Sequence, residues 1–206
     1  MNTTESHKLD QVTQRRRGCG LIGYNEKQSA GGYTLFAPAT SNGKVFLIDM
    51  QGHVVHTWQM PYPPGRHAVI LQNGNLGYNG RHPDSPNLYT PWAIWHGGIF
   101  LEATPSGEIV WQHTDLTHHH DAQWLNNGNI LYGAVEKLNS KIESKINGGH
   151  TKLINKTKGM YGDVVKEIDR NGKIVWEWKS WEHLSVINYP IHECFNDDHW
   201  PMINGL

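Results

Sequence analysis

His118-His119-His120-Asp121-Ala122-Gln123-Trp124-Leu125-Asn126-Asn127-Gly128-Asn129-Ile130-Leu131 is the stretch on which the reading of the fold turns. A histidine cluster runs into a turn signal and then into an apolar run. Asn127-Gly128-Asn129 supplies residues that tolerate positive φ, as a tight hairpin demands. A weaker copy stands upstream as Arg66-His67-Ala68-Val69-Ile70-Leu71-Gln72-Asn73-Gly74-Asn75-Leu76-Gly77-Tyr78. A third begins at His199-Trp200-Pro201-Met202-Ile203-Asn204.

Working outward, the segments around these copies also recur. Val45-Phe46-Leu47-Ile48-Asp49, a Gln51-Gly52 turn and Val54-Val55-His56-Thr57-Trp58 precede the first copy. Ile99 to Ala103, Ser106-Gly107 and Ile109-Val110-Trp111 precede the second, and Val164 to Asp169, Asn171-Gly172 and Ile174-Val175-Trp176 precede the third. Gly52, Gly107 and Gly172 are 55 and 65 residues apart, while Gly52 to Gly74 is 22 residues and Gly107 to Gly128 is 21. Such agreement marks an internal repeat, each unit holding about four short strands joined by tight turns, as in a β-propeller blade. The fold class predicted is all-β and β-propeller-like, with about three four-stranded blades. Trp58, Trp111 and Trp176 share one position and are expected to pack between sheets. Residues 1–30 read as an N-terminal arm and residues 31–206 as the blades. The variable stretches 80–97 and 136–160 read as loops.

Composition agrees with a turn-rich β protein: 22 glycines, 10 prolines, nine tryptophans and eight tyrosines among 206 residues. A net charge of −1 gives no reason to expect nucleic acid or an anionic membrane as partner. Mean hydropathy is −0.59, and no stretch reaches the apolar length of a membrane span. Arg15-Arg16-Arg17 is followed by too short an apolar run for an export signal, so the cytoplasm is the expected location. Cys19 and Cys194 form no ligand spacing, and a reducing compartment is the default.

Fourteen histidines are the chemical hint. The innermost strands of propeller blades meet at a central channel, so His67, the 118–120 cluster and His199 are expected to approach one another. Convergent imidazoles can bind a metal, act as acid and base, or carry a transferred group on nitrogen. Three adjacent histidines are not in themselves a metal signature. Neighbours in a strand point to opposite faces, so at most two of the three are expected on one side. No Gly-rich phosphate loop, serine elbow or His-Glu-x-x-His pattern is present, and no cofactor or metal is called for.

Gly32-Tyr33-Thr34-Leu35-Phe36-Ala37-Pro38, the Asn-Gly-Asn segments, His119-His120-Asp121, Ile174-Val175-Trp176-Glu177-Trp178 with Trp181-Glu182-His183-Leu184, and Trp200-Pro201-Met202-Ile203-Asn204 together resemble the arylsulfotransferase family over roughly residues 20–206. The resemblance implies a six-bladed propeller and transfer of sulfate from an aryl sulfate ester to a phenol, without a nucleotide donor. It implies a channel histidine that takes the sulfuryl group, with further histidines and an arginine holding its oxygens. Carried onto this sequence, it makes His119 and His120 the catalytic candidates and His67, Asp121, His199 and Asn204 the substrate-binding ones. Met202 stands where the family's third motif has a histidine, and a thioether cannot donate a hydrogen bond. The segment expected to carry the family's nucleophile lies beyond these blades. The 206-residue chain by itself is therefore expected to show little or no sulfotransferase turnover, with self-association to complete the ring as a partner relation. Two other readings stay open: a propeller scaffold used for binding, and a histidine metal site.

Overall fold

Glycines at positive φ turn the tight hairpins. The computed structural model describes residue 21 and residues 23–85, 96–146 and 160–183. Gly52, Gly107 and Gly172 have φ of 84°, 89° and 78°, a region where a β-carbon would be strained. The side chain before each turn holds it. Asp49 Oδ1 accepts from the backbone N–H groups of Gln51 and His53, and Asp169 Oδ1 from those of Asn171 and Lys173. In the middle hairpin Thr104 Oγ1 accepts from Glu108 N–H.

The strands between these turns are β1 (Thr34–Phe36), β2 (Lys44–Ile48), β3 (Val54–Gln59), β4 (Pro64–Ile70), β5 (Leu76–Arg81), β6 (Gly98–Ala103), β7 (Ile109–Thr114), β8 (His118–Trp124), β9 (Ile130–Lys137), β10 (Tyr161–Ile168) and β11 (Ile174–Lys179). Two one-turn helices, α1 (Ser140–Glu143) and α2 (Ser180–His183), follow β9 and β11. Three antiparallel sheets result, β1-β2-β3, β4-β5-β6-β7 and β8-β9-β10-β11. The fold is all-β and has the form of an incomplete propeller. The first sheet has three strands among the described residues, where four were expected. Parts of the stretches read as loops are ordered structure: β9 runs to Lys137, and Asn139 caps α1 by accepting from Ile142 N–H.

Sheet-on-sheet packing makes the core. In β6 every residue is buried, because alternate side chains serve opposite faces. Ile99, Leu101 and Ala103 meet Val45, Trp58, Leu76 and Tyr78 toward the first sheet. Phe100 points the other way, toward Ala122, Ile130, Tyr132 and Ile168 of the third.

Tryptophans staple the sheets. Trp58 Nε1 donates to Thr104 O across the first gap, and Trp111 Nε1 to Arg170 O across the second. The Arg170 guanidinium also lies 4.3 Å over the Trp111 ring, a cation–π contact. Trp176 departs from the expectation of inter-sheet packing. It is 48% exposed, because among the described residues no sheet follows β11 to supply a facing carbonyl.

The asparagines of the Asn-Gly-Asn turns do more than turn the chain. Asn73 and Asn75 both donate to Glu102 Oε1 on β6, and Asn127 and Asn129 both donate to Glu167 Oε1 on β10. Burial alone would raise the Glu102 carboxyl, but the two asparagines and Arg170 outweigh it and hold it below the usual range. Among the described residues no helix is long and apolar enough to cross a membrane.

Candidate functional site

β4 and β8 open their sheets and lie against each other, which brings the two histidine-bearing segments side by side. Both strands are bulged at the same place. β4 pairs with β5 through Pro64–Gly80 and next through Ala68–Tyr78, and β8 pairs with β9 through His119–Gly133 and next through Ala122–Tyr132. Each therefore carries two more residues than its partner. A bulge leaves the extra residues unpaired and re-aims their side chains.

That bulge sets the fate of each histidine. His118 is buried, its Nδ1 accepting from Gly98 N–H at 3.2 Å. Burial, and then neighbouring His119, push the His118 pKa down to about 3, so this ring is neutral at physiological pH and serves as packing. A β-carbon on Gly97 would collide with the same ring nitrogen. Gly97→Ala should therefore cost about 1–3 kcal/mol, read from urea unfolding, because a buried ring must shift to admit the methyl group.

His119 is buried as well, and its Nε2 lies 3.2 Å from Oδ1 of Asp163, itself wholly buried on β10. The ring N–H sits off the direct line to that oxygen. Gly133 pairs opposite His119, where a β-carbon would stand in ordinary contact with the ring at 3.5 Å. His120 follows with a φ of 54°, one of two non-glycine residues at positive φ among those described. This left-handed turn lays its ring edge-on to that of His119, with the two Nδ1 atoms 2.7 Å apart. Adjacent histidines thus meet, which simple strand alternation does not allow.

Asp121 completes the bulge and comes within 4.0 Å of His67 Nδ1 on β4. Burial pushes the His67 imidazole below its usual range, and the Asp121 carboxylate pulls against that. The convergence of His67 with the 119–121 segment is thus direct for Asp121. His199, Met202 and Asn204 lie outside the described residues, as do Cys19 and Cys194. Among the described residues no group of three or more His, Cys, Asp or Glu side chains is arranged to hold a metal ion.

Two residues escaped the sequence reading. Counting back from Ala68 and Ala122, Arg66 occupies in β4 the place of His120 in β8. Its backbone N–H is held by Asn79 Oδ1, and its side chain is on the exposed side of the bulge. The 54-residue offset between Gly74 and Gly128 carries this equivalence and could have revealed it. Asp163, by contrast, had no motif around it. A cavity of about 530 Å³ opens elsewhere, at the Asn-Gly-Asn turns, lined by Val69, Leu71, Trp124, Glu102 and Arg170. It includes none of the site histidines, and its carboxylate is already engaged by Asn73, Asn75 and Arg170.

No curated protein matches the chain. Solved structures similar to it include a protein of unknown function from Bacteroides caccae, with a TM-score of 0.39 and 16% identity over 72% of this chain and 42% of that one. Another is BamB from Moraxella catarrhalis, with a TM-score of 0.36 and 13% identity over 68% of this chain and 31% of that one. The chain spans less than half the length of either structure. The sequence profile of one family, Arylsulfotransferase (ASST), matches residues 38–202, a span that holds every described strand except β1, both bulged strands and the histidine cluster among them. The chain belongs to the arylsulfotransferase family.

Proposed function

We propose that this chain contributes an acid–base and anion-holding half-site to sulfuryl transfer from an aryl sulfate to a phenol. The observation that carries the reading is His120, held at φ 54° by a two-residue bulge beside Asp121 and His67. A non-glycine residue in that conformation costs free energy, and such residues gather at functional sites. His119 is buried and supports His120 from behind, so His120 is the residue of the pair that meets substrate.

The chemistry follows from what each phenol needs. The S–O bond to the donor's aryl oxygen breaks, and its electron pair leaves as phenolate. The acceptor phenol loses a proton as it gains the sulfuryl group. Nε2 of His120 takes the proton of the acceptor phenol and passes it to the departing phenolate oxygen, the work of an imidazole in acid–base catalysis. Arg66 and His67 line the neighbouring strand, where a guanidinium and an imidazole N–H can hold sulfuryl oxygens.

Incubating the chain with para-nitrophenyl sulfate and phenol tests this. Phenyl sulfate formed in step with released para-nitrophenolate supports transfer. Release without phenyl sulfate points to hydrolysis, and binding without release points to a scaffold; either result rejects the proposal.

A further inference from the structure

We infer that Asp163 is a positioning residue that fixes the proton on His120 through His119, an aspartate–histidine–histidine relay that leaves Nε2 of His120 bare. Asp163 and His119 are both buried, with Nε2 and Oδ1 3.2 Å apart, so this pair is set by its own geometry rather than by solvent. A carboxylate only accepts, so at 3.2 Å its charge draws the His119 proton to Nε2, even with the N–H off the direct line. Nδ1 of His119 then carries a lone pair. The 2.7 Å separation between the two Nδ1 atoms requires one proton between them, and that proton must come from His120. With its proton on Nδ1, His120 keeps a lone pair on Nε2.

The rest of the fold agrees with a built device. Asp163 is a wholly buried carboxylate in a strand whose residues from Gly162 to Lys166 are all buried, a placement that costs free energy unless it has a polar partner. Its β10 position pairs with Val135 on β9, the next strand from β8, which places the side chain behind the bulge. Among the described residues the relay is single. In β4 the place of His119 is taken by Gly65 and the facing place of Gly133 by Asn79, so the same cross-strand site is filled from the other side.

When Nε2 of His120 takes the proton of a phenol, the ring gains a positive charge. The Nδ1 proton can then pass to Nδ1 of His119, which moves the charge next to Asp163 with no proton lost. This catalytic consequence rests on the acid–base reading of His120; the proton positions themselves do not.

Long-range 1H–15N correlation of the uniformly labelled chain at neutral pH reads those positions directly, with His120 assigned by the signals that disappear in His120→Gln. The expected result is His120 protonated on Nδ1 and bare on Nε2. In Asp163→Asn the carboxamide N–H faces His119, so both rings should invert and His120 should carry its proton on Nε2. A wild-type His120 with its proton on Nε2 overturns the inference, as does an Asp163→Asn variant of native circular dichroism whose His120 pattern is unchanged. If that variant does not fold, the wild-type spectrum decides alone. Where transfer is measurable, Asp163→Asn should lower kcat by about 100-fold or more with KM near the wild-type value. A chain with the expected proton pattern and no transfer would keep the relay and discard the proposed function. Transfer with the opposite pattern would do the reverse.

Discussion

Replacing Lys166 with alanine should lower the free energy of unfolding by about 3 kcal/mol, a large part of the roughly 5–15 kcal/mol that holds an ordinary domain. Lys166 Nζ lies 3.1 Å from Asp115 Oδ2, and both side chains are largely buried. Tyr132 donates to the same oxygen at 2.9 Å, and Thr117 donates to Oδ1 through both its N–H and its hydroxyl. Burial alone would raise the Asp115 carboxyl, but Lys166, and then Thr117 and Tyr132, bring it down to about 2. Without the lysine a buried carboxylate keeps its hydrogen bonds and loses its cation. The loss reaches the site, because Asp115 O also receives the His118 N–H that begins β8.

The sign of the pH dependence follows from the lowered value. A depressed carboxyl contributes stability that is fully present above its unfolded pKa of about 3.9 and is lost as the pH falls through its folded value. Wild-type stability should therefore drop between about pH 4 and about pH 2, and Lys166→Ala should flatten that drop. Asp115→Leu combined with Lys166→Met should recover much of the loss at neutral pH, since apolar replacement of a whole buried pair is often near neutral. Urea titrations at neutral and acid pH measure all of this. A Lys166→Ala chain within about 1 kcal/mol of wild type would show that the pair is mostly hydrated.

His120→Gly should lower sulfuryl transfer by about 100- to 10,000-fold, the usual span for loss of a positioned acid–base group. The same change should alter stability little, because relief of the strain a β-carbon meets at φ 54° is offset by loss of the hydrogen bond between the His120 ring and buried His119. A large loss of activity with little change in stability separates chemistry from folding. Damage to the sheet would lower both together. His53→Ala serves as the comparison, since His53 is an exposed turn residue whose ring contacts Asp49. It should leave transfer unchanged. Equal activity in wild type and His120→Gly would remove His120 from the chemistry.

Much of the fold could be read directly from residue order. Gly52, Gly107 and Gly172 each sit at the positive φ that their turns demand, and the strands on either side follow from the apolar runs between them. Trp58 and Trp111 reach the next sheet as their shared position suggested, whereas Trp176 has no facing sheet among the described residues. A residue's position in the unit is local information; what lies across from it is not.

The site divides along the same line. The sequence by itself determined that histidines would stand at the start of an inner strand, and that this strand would recur beside a second one bearing His67. Only the tertiary structure decided which side chains meet. Strand alternation would have separated His119 from His120, but the bulge between His119 and Ala122 breaks the alternation and turns the rings together. It also gives His67 to Asp121 rather than to a histidine, and sets Arg66 at the place of His120. Asp163 reaches His119 from β10 because β9 lies between them in the sheet, an adjacency that no spacing along the chain encodes. Side-chain direction past a bulge depends on the register with the partner strand, and register is fixed by the packing of the whole sheet.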